Sequence, residues 1–182
     1  QFILSGSQNL LLMHSIAQSL AGRVAIFNLL PFSLQEIQQT HFAMNTYEEY
    51  IFKGFYPRIY DLDLDPTAWL QDYLRTYVER DVRQILNIGD LATFRQFLEI
   101  CAGRTGQLVN FSEIGNVIGV SYQTVKKWLS VLETSFIVYT LQPYHQNFNK
   151  RIVKSPKLYF YDTGLACALL NLRSVEDLKR HF

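Results

Sequence analysis

Apolar and polar positions recur at helical spacing between residues 112 and 132. The pattern predicts a short helix capped by Ser112, a turn at Gly119, and a second helix capped by Ser121. The apolar residues of the second helix form one inward stripe: Val125, Trp128, Leu129 and Leu132. Polar residues at the same spacing are expected on the opposite face: Gln123, Lys126, Lys127 and Ser130. Two such helices joined by a tight turn form a helix-turn-helix.

The residues that follow this helix pair predict a β-hairpin. The stretch "FIVYTLQ" (Phe136–Gln142) has the composition of a strand. After a polar tip the chain returns through "RIVKSPKLYFYD", which is interrupted at Pro156. A helix-turn-helix followed by a hairpin is the arrangement of a winged helix, and we expect one at residues 105–166.

The remainder of the chain predicts a mixed α/β fold that is mostly helical. Residues 2–4 and Arg23–Leu29 predict strands on either side of a helix at Asn9–Leu20, which is the order of an α/β unit with a parallel sheet. Periodicity and capping residues predict further helices: Ser33–Gln39, Thr46–Phe52, Trp69–Leu86 and Thr93–Ala102.

Composition narrows the class of protein. Of the 182 residues, 48% are apolar and 14% aromatic, which is enough for the core of one large domain or two small ones. Cys101 and Cys167 have no CxxC spacing, so the chain is expected to be cytoplasmic and reduced, without a zinc site. No apolar run reaches the roughly 18–20 residues that span a bilayer, and no membrane partner is expected.

Charge is distributed unevenly along the chain. Between Ser121 and Tyr161 there are six basic residues and one acidic residue, a balance of +5. Because the whole chain carries +1, the rest carries −4. Such asymmetry indicates a surface that faces a polyanion, and the alternative is a face that simply contacts water.

Two interpretations of the basic segment stay open. In the first, Gln123, Lys126 and Lys127 face a DNA groove or phosphates, and the hairpin neutralises the backbone alongside with Lys150, Arg151, Lys154 and Lys157. In the second, the winged helix docks a protein and its lysines face water. The second helix has no arginine, the usual reader of guanine, which weighs against recognition of a specific sequence.

Four stretches in order carry a resemblance to a known family: "FILSGSQNLLLMHSIAQSLAGRV", "YIFKGFYPRIYD", "YLRTYVERDV" and "KSPKLYFYDTGLA". Together they resemble bacterial and archaeal AAA-type ATPases. In that family an ATPase core precedes a winged-helix domain of unknown function and then a nuclease-like fold. The resemblance implies ATP and magnesium as cofactors of the intact protein, and it leaves duplex DNA, a protein and a second copy of the chain open as partners.

The resemblance also implies roles for particular residues. Ser5 and Ser7 resemble residues of the sensor strand beside the γ-phosphate, and Arg23 resembles an arginine that reaches a phosphate. The alternative is that the serines satisfy backbone groups and that Arg23 pairs with a carboxylate. The stretch "KGFYP" resembles the Gly–x–Pro turn of the lid, but Phe55 stands where a second glycine is usual.

No phosphate-binding loop of the GxxxxGK[ST] type is present in the chain, so no complete catalytic site is expected. With its first strand at the very start and no initiating Met, the sequence is expected to be a fragment that does not hydrolyse ATP by itself. The resemblance divides it into a remnant of the ATPase core and lid (1–60), connecting helices (61–104), the winged helix (105–166) and the start of a truncated region (167–182).

Overall fold

The computed structural model describes residue 23 and residues 25–78, 90–144 and 155–181. In these ranges the protein is mostly helical, with a small antiparallel sheet. The helices are α1 (Leu34–Gln38), α2 (Tyr47–Lys53), α3 (Pro57–Asp61), α4 (Pro66–Tyr73), α5 (Leu91–Gly103), α6 (Phe111–Ile118), α7 (Tyr122–Thr134), α8 (Thr163–Leu169) and α9 (Val175–His181). A π-helical turn, Leu74–Val78, continues α4.

The sheet consists of two short strands after α7. Strand β1 (Val138–Leu141) pairs antiparallel with β2 (Lys157–Phe160), and Tyr139 lies opposite Tyr159. On its other side β2 makes an isolated antiparallel bridge to Leu108, which lies between α5 and α6. The inner face of the sheet buries Val138 and Leu158.

Helix α8 lies at the centre of the packing. Every residue of α8 after Thr163 is buried, and the helix contacts α2, α4 and α5. Residues of α5 and α7 extend the same apolar cluster, with Phe94 and Phe97 fully buried. One hydrophobic core therefore connects residues that lie far apart in the chain.

Several helix starts agree with the sequence predictions. Ser33 and Thr46 cap α1 and α2, and in each case a glutamate three residues later completes a capping box. Ser121 caps α7, and Gly119 ends α6 in the left-handed conformation, at φ +73°. Local sequence was sufficient to predict these helix ends, because each capping residue bonds to a residue within about one turn of it.

The predicted start of α6 was wrong. Asn110, and not Ser112, is the capping residue, because its side-chain oxygen accepts a hydrogen bond from the backbone N–H of Glu113 at 3.1 Å. Ser112 lies inside the first turn and is exposed. Either residue type can cap a helix, so the sequence alone did not distinguish the two positions.

Other predicted elements differ in extent. A strand was predicted at Arg23–Leu29. Residues 25–30 form no strand with any described residue, and their side chains are exposed. The helix predicted at Trp69 begins earlier, at Pro66, because Asp65 caps it. Residues 2–4, the helix Asn9–Leu20 and residues 79–89 lie outside the described residues. No helix in the described ranges has the length and apolar composition needed to cross a membrane.

Candidate functional site

Helix α7 presents two chemically different faces. Val125, Trp128, Leu129 and Leu132 are buried, as the apolar stripe predicts. Gln123, Lys126, Lys127 and Ser130 are exposed on the other side. Both predicted faces of α7 are confirmed, and the structure brings three of the predicted site residues together on one helix surface.

Aromatic packing fixes α7 on the core. The Trp128 ring lies edge-on to Phe94 with ring centroids 5.3 Å apart, and at 5.4 Å from Phe97. Both phenylalanines belong to α5. This arrangement anchors the middle of α7, so its exposed face has a defined orientation.

A close turn holds α6 against the start of α7. The N–H of Val120 donates to the carbonyl of Gly115 at 2.9 Å. A Cβ atom on Gly115 would lie 2.6 Å from the Val120 carbonyl oxygen, so only glycine permits this approach. The role of Gly115 was not predicted, although a glycine inside a helical pattern was an available signal.

The two lysines of α7 have no side-chain partner in the described part of the chain. Two carboxylates on α6 and α7 are already engaged. Glu113 pairs with Arg104, whose hydrogen bond lowers the pKa of the Glu113 carboxyl, and Glu133 accepts a hydrogen bond from the Thr140 hydroxyl. Lys126 and Lys127 are therefore available to an external anion.

The remaining candidate residues are distributed elsewhere. Lys157 is exposed on β2, and Arg23 is exposed in a turn. Ser5, Ser7, Lys150, Arg151 and Lys154 lie outside the described residues. In the ranges that the structure describes, no three His, Cys, Asp or Glu side chains are grouped to hold a metal ion.

A buried carboxylate joins two segments that the sequence analysis treated separately. Asp162 caps α8 by accepting the N–H of Leu165 at Oδ1, 2.7 Å away. Its Oδ2 accepts the N–H of Phe55 at 2.5 Å, across 107 residues of sequence. Asp162 is fully buried. The contact with Phe55 was not predicted from the sequence.

At this junction burial and hydrogen bonding shift the pKa of Asp162 in opposite directions. Burial raises the pKa of Asp162 to about 6, while backbone N–H groups of Phe55, Leu165, Tyr56 and Gly164 oppose that rise. Burial is also the main cause that raises the pKa of Tyr60, and repulsion from the Asp162 charge raises it further. The Tyr60 hydroxyl donates to the Gly54 carbonyl at 2.6 Å.

Two glycines allow the segments to meet. A Cβ on Gly54 would lie 2.7 Å from Asp162 Oδ1, and a Cβ on Gly164 would lie 2.9 Å from Gly54 Cα. Gly54 ends α2 and Pro57 begins α3. The turn of "KGFYP" is thus closely approached by the "YDTG" segment of the same chain.

Two family matches divide the chain unevenly. Residues 44–176 match the family described as Domain of unknown function (DUF8612), and residues 1–38 match the family described as AAA domain. The first match covers both α7 and the Asp162 junction. The second ends at the last residue of α1.

Three bacterial relatives are similar along most or all of the chain. Over its full length the chain is 28% identical to an uncharacterized protein of Mycobacterium bovis and to one of Mycobacterium tuberculosis, and it spans 40% of each. Over 90% of its length it is 26% identical to an uncharacterized protein of Haemophilus influenzae, 44% of which is covered. The chain therefore spans less than half of these relatives. No solved structure matches it.

Proposed function

The chain belongs to the family described as Domain of unknown function (DUF8612), and from this premise we propose that it contains a winged helix that contacts duplex DNA. The exposed face of α7 lies against the duplex, and the hairpin lies alongside. In the intact protein an AAA-type ATPase changes the position of this module with its nucleotide state.

The observation that carries the DNA proposal is the exposed, unpaired pair of lysines on α7. Lys126 and Lys127 lie on a rigidly packed helix whose opposite side is buried. Neutralising phosphates releases condensed cations from the duplex, which is a favourable term that needs no sequence recognition. A fixed helix bearing two such cations is suited to this contact.

The order of elements supports the winged-helix part of the proposal. Helix α5, the bridge at Leu108, helices α6 and α7, and the β1–β2 pair follow one another along the chain. Helix α7 packs against β1, so the sheet lies next to the proposed reading helix. Lys157 on β2 adds one exposed cation to this module.

The match of residues 1–38 to the AAA domain family supports the ATPase part. Ser5 and Ser7 lie outside the described residues, and Arg23 is exposed in a turn. The described residues thus supply no set of groups that fits ATP or magnesium, and no residue here is assigned to either. ATP binding belongs to the proposal for the intact protein.

Titration of a labelled duplex with the full chain at two salt concentrations tests the DNA contact. We expect micromolar affinity that weakens steeply as salt rises. The double variant Lys126→Glu/Lys127→Glu should lose most of the affinity, because two cations become two anions. The double variant Lys126→Ala/Lys127→Ala should lower the slope of log affinity against log salt by about 2.

A matched control uses two exposed cations at the other end of the chain. Lys179 and Arg180 lie in the last turn of α9. The variant Lys179→Glu/Arg180→Glu makes the same change in net charge and should retain more affinity than the α7 variant. Equal losses in both variants, or no binding of the wild type even at low salt, would refute the proposed contact.

A second candidate function is docking of a protein partner, and the outer face of the sheet favours it. Leu108, Lys157 and Leu141 lie side by side, and Leu108 and Leu141 are 59% and 55% exposed. The rings of Tyr139 and Tyr159 stack next to them, with centroids 5.4 Å apart. Exposed apolar patches of this kind mark protein interfaces. Absence of duplex binding would favour this alternative.

A further inference from the structure

The first turn of α7 carries two exposed side chains that differ from the lysines in the turn that follows. Tyr122 begins the helix and is 44% exposed, and Gln123 follows it and is exposed. Resting on the DNA contact proposed above, we infer that Tyr122 and Gln123 make this surface prefer A·T base pairs to G·C pairs.

The chemistry of the base edges carries this inference. In the major groove adenine presents an acceptor next to a donor, and a glutamine amide matches both. Thymine presents a methyl group, which makes apolar contact with side chains such as the Tyr122 ring. The Gln123 side chain makes no hydrogen bond with the described residues, so both the carbonyl oxygen and the NH2 group of its amide are available.

The position of these residues separates reading from charge neutralisation. In helix-turn-helix proteins the N-terminal residues of the second helix contact base edges. Lys126 and Lys127 lie one turn farther along α7, where they suit the phosphate backbone. Helix α7 has no arginine, the side chain that most often reads guanine.

The reading turn is rigid before any DNA is bound. The Tyr122 ring lies edge-on to Phe111 of α6, with centroids 5.4 Å apart and the planes at 74°. The Ser121 hydroxyl accepts the N–H of Thr124 at 3.1 Å and contacts its hydroxyl at 2.9 Å. The ring contact fixes the direction of the Tyr122 side chain, and the Ser121 cap fixes the backbone that carries Gln123, which reduces the entropy lost on binding.

Two labelled duplexes of equal length, one of alternating A·T and one of alternating G·C pairs, test the inference at a single salt concentration. The wild-type chain should bind the A·T duplex about tenfold more tightly. Gln123→Ala should reduce this ratio strongly and leave G·C binding nearly unchanged. Tyr122→Ala should also reduce the ratio, whereas Tyr122→Phe, which keeps the ring, should retain most of it.

Ser130→Ala is the matched control, since Ser130 is exposed on the same helix two turns away from Gln123. It should keep the full ratio. Equal affinity for the two duplexes refutes the preference but leaves the DNA contact standing. A preference that persists in both Gln123→Ala and Tyr122→Ala also refutes it, because the shape of the duplex would then be its source. No binding to either duplex refutes the DNA contact itself.

Discussion

The exposed face of α7 and the Asp162 junction both hold ionisable side chains, but in opposite surroundings. Lys126 and Lys127 face water and have no partner in the described residues. Asp162 is fully buried, and backbone N–H groups from two distant segments surround it. The first region can change its charge without disturbing the core, whereas the second cannot.

The difference separates the proposed binding surface from the residues that stabilise the fold. A charge in water gains little from its protein surroundings, so its removal affects mainly an external partner. A buried carboxylate that satisfies backbone donors holds the segments that supply them, since each unsatisfied donor costs about 1–3 kcal/mol. Substitutions at the junction should therefore destabilise the protein, and substitutions on the exposed face of α7 should change only the proposed DNA contact.

The largest effect is expected from Gly54→Ala at the junction. Gly54 has φ +75° and ψ −166°, a region that is populated almost only by glycine, and its Cβ would contact the Asp162 carboxylate. Backbone strain and overpacking together should lower the free energy of unfolding by roughly 2–6 kcal/mol. Urea unfolding followed by circular dichroism measures this change.

Gly103→Ala provides the control for Gly54→Ala. Gly103 is the last residue of α5, and its Cβ would lie at an ordinary 3.8 Å from the nearest atom, a Leu170 methyl. This variant should be neutral or slightly stabilising because alanine favours the helix. If the two variants unfold at the same urea concentration, the close approach at Gly54 does not stabilise the fold as argued.

The next effect is the pH dependence that Asp162 contributes. Its pKa is raised from 3.8 to about 6, so the folded state holds the proton more tightly than the unfolded state. The stabilising contribution is complete below pH 4 and is lost as the pH rises through 6. The free energy of unfolding lost in this way should be roughly 3 kcal/mol. It is measured as the difference in unfolding free energy between wild type and Asp162→Asn from pH 4 to pH 7.

An exposed aspartate gives the opposite sign as a control. Asp90 caps α5, and hydrogen bonds from the Thr93 side chain and then its backbone lower the pKa of the Asp90 carboxyl. Its contribution is present at neutral pH and is lost on acidification. The difference between wild type and Asp90→Asn should therefore rise with pH only below about pH 4, and it should stay flat from pH 4 to pH 7, where the Asp162 difference falls. A parallel course for the two would contradict the burial argument for Asp162.

Short-range patterns predicted the α7 region well. The inward stripe, the Ser121 cap and the left-handed Gly119 all depend on neighbours within one or two turns, and the structure has each of them. The start of α6 was misplaced by two residues because Asn110 and Ser112 are both good caps. Capping by a polar side chain depends on local sequence, but two nearby residues can both be suitable caps.

The Asp162 junction could not be predicted in the same way. Phe55 and Asp162 are separated by 107 residues, and no periodicity relates them. The sequence showed Gly54 and Gly164 in two motifs, but only the packing of α8 on α2 and α4 brings these motifs together. Glycines in separate motifs indicate close approach without naming the segment that approaches.

The smallest effect on stability is expected from Lys126→Ala/Lys127→Ala on α7. Both side chains are exposed and make no side-chain contact in the described residues, so their loss should change the free energy of unfolding by no more than about 0.5 kcal/mol. Alanine also has slightly higher helix propensity than lysine, which offsets any small loss. Urea unfolding of the double variant beside wild type measures the change.

A substitution of Trp128, on the buried face of the same helix, should have a much larger effect on stability. Trp128→Ala removes a ring that packs on Phe94 and Phe97, and it should cost about 3–5 kcal/mol. A loss above 1 kcal/mol in the lysine variant would show that the exposed face of α7 also supports the core. In that case weaker DNA binding by Lys126 and Lys127 variants could reflect partial unfolding, and the separation between the two regions would not hold.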